Sequence, residues 1–223
     1  MDNDINEIAQ GDGIETWQEV MLVYNAAMRQ VQTKIEILNE EFQHIHQYNP
    51  IEHIKCRMKT PESIVKKLKR HNLDSTIENM VNNVNDIAGV RIICSFSSDI
   101  YRIADMIEHQ QDIKILTVKD YITFPKASGY KSYHMIVTVP VYLSNRVVDT
   151  KVEIQIRTVA MDFWASLEHK IHYKFEGDAP QHIKDELVEC AHLVSDLDEK
   201  MLSLNDEIIK LSGITELPED MLR

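Results

Sequence analysis

The sequence predicts an α+β protein: a β-sheet of about five strands, flanking helices, and a long helix at each end. Three observations carry this. Segments 14–47 and 183–211 repeat apolar residues at alternating steps of three and four, with no Gly or Pro inside, the heptad signature of long helices. Between them, short segments such as 88–94, 133–140 and 151–157 are continuously apolar or alternate with period two, as strands do. Shorter helical patterns with capping residues separate those strands.

The first helix carries Ile14, Trp17, Met21, Tyr24, Met28, Val31, Ile35, Leu38, Phe42 and Ile45, and Asn49-Pro50 ends it. The C-terminal helix repeats the spacing through Ile183, Leu187, Cys190, Val194, Leu197, Met201, Leu204, Ile208 and Leu211. Such narrow stripes want partner helices. The expectation is that the two helices pack on each other and on the domain, while part of this surface joins subunits. His44, His46 and His53 read as a solvated turn or, less simply, a metal site lacking a fourth ligand.

Thr60-Pro61 starts a helix over 61–70, with Thr as N-cap and Pro at the first position. On it Ser63, Lys67 and Arg70 share one face, while Ile64 and Leu68 point to the core. Residues 76–84 read as a short helix. Ser97-Ser98-Asp99 caps another over 99–111, with Ile100, Ile103, Ala104 and Ile107 inward. Residues 113–122 read as a strand, with Leu116, Val118 and Ile122 on one side and Lys119 and Tyr121 on the other. A polar loop from Pro125 leads into a strand over 133–140. In 151–157, Lys151, Glu153, Gln155 and Arg157 share one face and Val152, Ile154 and Ile156 the other. The apolar strands before it make this strand central. Thr158 then caps a helix through Tyr173, with Phe163, Leu167 and Ile171 buried and Asp162 in its first turn.

The 223 residues divide into an acidic segment and heptad helix (1–48), a catalytic core (49–175), and a C-terminal helix with an acidic tail (176–223). Net charge is −12, but residues 1–54 carry −8, residues 55–175 carry +5 and residues 176–223 carry −9. A basic middle between acidic flanks suits small anions better than nucleic acid in general. No apolar run approaches the ~20 residues of a membrane span. The first thirteen residues are acidic and polar, unlike a signal peptide. Cys56, Cys94 and Cys190 are far apart and form no paired spacing. A reduced cytoplasm is expected.

Chemistry concentrates in four stretches. In Asn85-Asp86-Ile87-Ala88-Gly89-Val90-Arg91, a carboxylate sits at the mouth of a buried strand, five residues before a guanidinium. A cation and an anion could be held there side by side, as a metal-dependent nucleotide site needs; a structural Asp–Arg pair is the alternative. Ala88-Gly89 would let backbone pack closely. Lys55, Arg57, Lys59, Lys66, Lys67, Lys69 and Arg70 stand against one acid, Glu62, as a polyphosphate grip or a solvated basic face. The loop Pro125-Lys126-Ala127-Ser128-Gly129-Tyr130-Lys131-Ser132-Tyr133-His134 offers lysines for phosphates and a tyrosine for stacking on a base. The polar face of 151–157 is either wet or a site.

Together these stretches resemble a small alarmone synthetase, a single-domain member of the Rel/SpoT homologue superfamily. The matching residues are Asp86-Ile-Ala-Gly-Val-Arg91, Ser128-Gly-Tyr130-Lys-Ser-Tyr-His134, Glu153-Ile-Gln-Ile-Arg157-Thr, and Phe163-Trp164-Ala-Ser-Leu-Glu-His169. The resemblance runs from about Pro50 to Tyr173. The wording over 118–122 and 160–164 is closer to the RelP-like branch than to the RelQ-like branch.

The resemblance implies a mixed sheet of nucleotidyltransferase-like fold, assembled as a homotetramer. It implies transfer of the β,γ-pyrophosphoryl group of ATP to the 3′-hydroxyl of GTP or GDP, giving pppGpp or ppGpp and AMP. Asp86 and Glu153 would ligate Mg²⁺, and Glu153 would also take the proton of the attacking hydroxyl. Arg57 and Arg91 would sandwich adenine. Lys59, Ser63, Lys67 and Arg70 would hold the ATP phosphates, and Lys131 would touch the transferring phosphate. Tyr130 would stack on guanine, with Lys126, His134, Gln155, Lys119 and Asp162 on the acceptor side. Lys119 and Asp162 stand where the RelQ-like branch has arginine and asparagine. Where that branch has basic residues for activation by the alarmone, this chain reads Gln32, Glu36 and Asn39, so that activation is not expected. There is no His-Asp dipeptide for the hydrolase of larger members, so synthesis alone is expected. A nucleotide- or RNA-binding regulator of the same fold would have no need for two carboxylates. A nucleotidyltransferase acting on RNA would leave the acidic flanks unexplained.

Overall fold

Five strands form one mixed sheet in the order β1-β2-β5-β4-β3. They are β1 (Ile51–Met58), β2 (Ala88–Cys94), β3 (Lys114–Asp120), β4 (Tyr133–Tyr142) and β5 (Val147–Thr158). β2 and β5 are parallel; the other neighbours are antiparallel. The helices are α1 (Trp17–His46), α2 (Pro61–Arg70), α3 (Ile77–Asn83), α4 (Ser97–Glu108), α5 (Val159–Lys174) and α6 (Gln181–Ser212). This computed structural model describes residues 16–174 and 179–212. Ile14 and the acidic ends of the chain lie outside the described residues.

β5 is central, as its alternation and the apolar strands before it predict. Val90, Ile92, Met135, Val137, Ile154 and Ile156 are all at most 1% exposed. They form one core with Val20, Val23, Ala27, Val31 and Ile35 of α1. The residues between them on each strand point to the opposite face, because side chains alternate across a sheet.

The sequence pattern does not mark β1 as a strand. Ile54, Cys56 and Met58 are its half-buried side, and Lys55 and Arg57 alternate with them. A register shift between Ile51 and His53 breaks the alternation at its start, and the density of cations masked the rest. β3 is an edge strand with its own irregularity between Ile115 and Thr117. Leu116 and Val118 are therefore 43% and 40% exposed rather than packed.

Local signals set the helix ends. Thr16 and Glu19 form a capping box on α1, and Thr60 caps α2 with Pro61 at its first position. α4 begins at Ser97. Its Asp99 accepts from the Phe96 backbone N–H, the Tyr48 hydroxyl at 2.6 Å and Arg102 at 2.7 Å, which ties the α1–β1 turn to α4.

The terminal helices find different partners. α1 packs on the sheet, and α6 packs on α5 and α4. α5 buries Met161, Trp164 and Ala165, and Trp164 Nε1 donates to the Leu187 carbonyl of α6 at 2.9 Å. This corrects one expectation: Phe163, Leu167 and Ile171 are 60%, 43% and 41% exposed. Trp164, the largest side chain of the helix, takes the buried side and turns the Phe163 stripe out. Leu197, Met201, Leu204, Ile208 and Leu211 on α6 are exposed as well.

Candidate active site

The sheet face opposite α1 carries one polar row contributed by all five strands. Lys55 pairs with Arg91, Arg91 with Gln155, Gln155 with His134, and His134 with Lys119. Cross-strand partners stand side by side on one face, so the register alone lines these five up. The next row runs from Arg57 through Gly89 to Glu153. A Cβ on Gly89 would meet only the Arg57 and Glu153 carbonyls, at ordinary contact distances of 3.7 and 4.0 Å. Close backbone packing therefore does not require this glycine. Its missing side chain instead leaves the floor open between Arg57 and Glu153.

Asp86 lies in the turn that enters β2. Its oxygens meet Lys59 Nζ and Lys67 Nζ, each at 2.7 Å. Lys59 is held there by its backbone N–H, which donates to the Ile87 carbonyl at 2.8 Å, and Lys67 by α2. Burial would raise the Asp86 carboxyl, but the two ammoniums hold it below the ordinary carboxylate value. Glu153 accepts from Gln155 Nε2 at 2.9 Å and lies 3.4 Å from His134 Nδ1. Burial raises its carboxyl too, but His134 and Gln155 outweigh that and hold it low, against an upward push from the Asp86 charge. Two ionised carboxylates that feel one another form an oxygen-only donor pair, suited to a hard cation completed by waters and phosphate oxygens. Among the described residues no three His, Cys, Asp or Glu side chains could hold a metal together, so His44, His46 and His53 form no site.

A second cluster adjoins the first. Asp162 receives Arg91 at 3.2 Å, Arg157 at 3.3 Å and Lys55 at 3.4 Å. Asp162 therefore sits with Arg91 and Arg157 rather than beside Lys119, which is exposed on the edge strand. Burial and the guanidiniums of Arg157 and Arg57 lower the Arg91 pKa, against the pull of Asp162. Arg91 Nε is buried without a hydrogen-bond partner among the described residues. Tyr130 packs edge-on to His134 and Tyr121, with Lys126 Nζ 4.6 Å above its ring.

Of the sequence candidates, Asp86, Lys59, Lys67, Glu153, Gln155, His134, Tyr130, Lys126, Arg91 and Asp162 meet in these clusters. Arg57 is exposed beside Arg91, while Ser63 and Arg70 are exposed on the Lys67 stripe of α2. Lys131 stands apart, lining a small pocket with Trp164, Ser195 and Asp198 on the α6 side of the loop. Arg157 and Tyr121 also belong to the site, although the sequence assigns neither a role there, and Lys55 of the cation stretch joins it through Asp162. For Arg157 the signal was its place on the polar face of β5.

Gly129 sets the loop that carries Tyr130. Its φ is +85°, and a Cβ there would land on the Ala191 Cβ of α6. Gly129→Ala is expected to push the loop off α6 and to cost about 1–2 kcal/mol of stability from the left-handed backbone alone. Thermal unfolding checks this; an unchanged Tm would show that the loop's seat takes a side chain without strain.

A mixed sheet that sets two carboxylates among converging cations offers the groups that holding a hard cation and phosphates requires. Residues 56–178 match the region found in RelA / SpoT proteins, and the chain belongs to that family. It is 51% identical over 195 residues to GTP pyrophosphokinase YwaC of Bacillus subtilis, covering 87% of this chain and 93% of that protein. Identity to GTP pyrophosphokinase YjbM of the same organism is 33%, covering 86% and 90%. The crystal structure of small alarmone synthetase 2 from Bacillus subtilis superposes with a TM-score of 0.78 at 49% identity, covering 86% of this chain and 99% of that one. That of small alarmone synthetase 1 bound to its product pppGpp gives 0.80 at 33% identity, covering 86% and 97%.

Proposed function

We propose that this protein is a GTP pyrophosphokinase, transferring the β,γ-pyrophosphoryl group of ATP to the 3′-hydroxyl of GTP or GDP. The products are pppGpp or ppGpp, and AMP. The observation that carries this is the Asp86–Glu153 carboxylate pair among phosphate-binding cations, in a chain similar over most of its length to GTP pyrophosphokinases.

The residues divide by the part of the reaction they serve. Arg57 and Arg91 hold the adenine between flat guanidinium faces, which lysines could not do. Lys59, Ser63, Lys67 and Arg70 take the ATP phosphates. Tyr130 stacks on guanine, with Lys126, His134 and Gln155 around the acceptor. Asp162 keeps Arg91 and Arg157 in place. Glu153, held between Gln155 and His134, takes the proton of the 3′-hydroxyl. Asp86 and Glu153 would hold Mg²⁺, which when bound offsets phosphate charge as a Lewis acid. The exposed apolar stripes of α5 and α6 support a homo-oligomer, a tetramer by resemblance. Among the described residues no helix is long and apolar enough to cross a membrane. The likeness to GTP pyrophosphokinases, whose named substrates are free nucleotides, is what supports a cytoplasmic protein here.

The test is product analysis with γ-³²P-ATP, Mg²⁺ and GTP or GDP. Label should move onto the guanosine nucleotide and stay on ATP in Asp86→Ala. No transfer to either acceptor, despite nucleotide binding, would turn the reading toward a regulator. Tyr130→Ala is expected to weaken the guanosine nucleotide roughly 5- to 150-fold, the worth of about 1–3 kcal/mol of stacking, while sparing ATP. Equal weakening of both nucleotides would remove Tyr130 from the guanine site.

A further inference from the structure

We propose that Arg157 is the positioning residue of the catalytic base: one guanidinium fixes both carboxylate oxygens of Glu153 through two arms of side chains. The proposal rests on the reading of Glu153 as that base.

Arg157 is 4% exposed. Its Nη1 donates to Asp162 at 3.3 Å and its Nε to Ser132 Oγ at 3.3 Å, which pins the plane of the guanidinium. Nη2 has two protons and two acceptors. One arm runs from Nη2 to Gln155 Oε1 at 3.1 Å, and from Gln155 Nε2 to Glu153 Oε2 at 2.9 Å. The other runs from Nη2 to the Tyr130 hydroxyl, which lies 2.9 Å from His134 Nε2. His134 Nδ1 then lies 3.4 Å from Glu153 Oε1.

Arginine can only donate, so the direction of each arm follows from its origin. Gln155 must turn its carbonyl oxygen to Arg157 and its NH₂ to Glu153. The Tyr130 oxygen accepts from Arg157, and its own proton can go to His134 Nε2. His134 then carries its ring proton on Nδ1, facing Glu153. A lysine at 157 would keep the charge beside Asp162. Its single ammonium lacks the planar fork that serves Tyr130, Gln155, Ser132 and Asp162 together. The arms pass through the residues assigned to the acceptor side, so acceptor contacts and base orientation share one anchor.

Steady-state kinetics of Arg157→Lys, Tyr130→Phe, their double variant and Glu153→Gln test this. Arg157→Lys should keep KM for both nucleotides within about threefold while kcat falls on the order of 10²-fold, as for a misplaced reacting group. Tyr130→Phe keeps the ring and cuts one arm, so kcat should fall without a rise in guanosine-nucleotide KM. The double variant should lose less than the product of the two, because both changes cut the same arm. Wild-type kcat in Arg157→Lys would overturn the proposal, since a charge alone would then suffice. If Arg157→Lys does not fold, Tyr130→Phe decides, and an unchanged kcat overturns it. Unchanged turnover in Glu153→Gln would remove the base and the proposal with it. An inactive Glu153→Gln beside a fully active Arg157→Lys would sink the proposal alone.

Discussion

Glu153→Gln is expected to bind both nucleotides and lose turnover by on the order of 10²–10⁴-fold, the usual worth of a positioned base. The amide matches the carboxylate in size, so β5 should keep its place between β2 and β4. What changes is the oxygen pair. Glu153 offers two anionic acceptors, one met by Gln155 Nε2 and the other facing His134 Nδ1. Glutamine offers one neutral acceptor and one donor, so one of those partners faces another donor. The amide can take no proton from a hydroxyl near neutral pH. Single-turnover assays with equilibrium binding of each nucleotide would separate the two effects. Retained turnover would show that another group removes the proton, with His134 the nearest candidate. Weakened binding at unchanged chemistry would make Glu153 a binding residue only.

The legible parts of the fold were those where one period dominates. In β5 every second residue is polar from Lys151 to Arg157, which announces a central strand with a site on one face. Thr60-Pro61 marks the start of α2 by local hydrogen bonding alone. β1 was hidden because its outward face is a run of cations that reads equally well as a charged loop. The α5 stripe was legible as apolar but not as exposed. Only the tertiary contact of Trp164 with the Leu187 carbonyl decides which side of the helix turns in. Within the site, the motif residues were visible one at a time. Their grouping was not, because register sets it: Arg91, Gln155 and His134 come from three strands. The resemblance places Asp162 on the acceptor side. It proves to hold Arg91 and Arg157, since the first turn of α5 begins directly after β5.

Asp86→Asn is expected to lose transfer by on the order of 10³-fold or more while ATP binding without divalent cation is kept or strengthened. The first part follows from metal stabilisation of phosphate charge, worth several kcal/mol, with about 1.4 kcal/mol per factor of ten. The second follows from the two lysines. In the free protein Asp86 neutralises Lys59 and Lys67 at 2.7 Å each, so ATP phosphates must compete with a carboxylate for both ammoniums. An asparagine keeps the shape of the turn but gives up that competition. Lys59 and Lys67 then have a stronger need of an outside anion, and the polyphosphate is the one at hand. The carboxylate thus works against phosphate binding in the empty site and for it once a cation bridges the two. Isothermal titration of ATP into wild type and Asp86→Asn, with EDTA and then with Mg²⁺, distinguishes these roles. Wild type should gain affinity when Mg²⁺ is added, and the variant should gain little. An equal gain in both would take Asp86 out of the metal site and leave it as a structural counter-charge for α2.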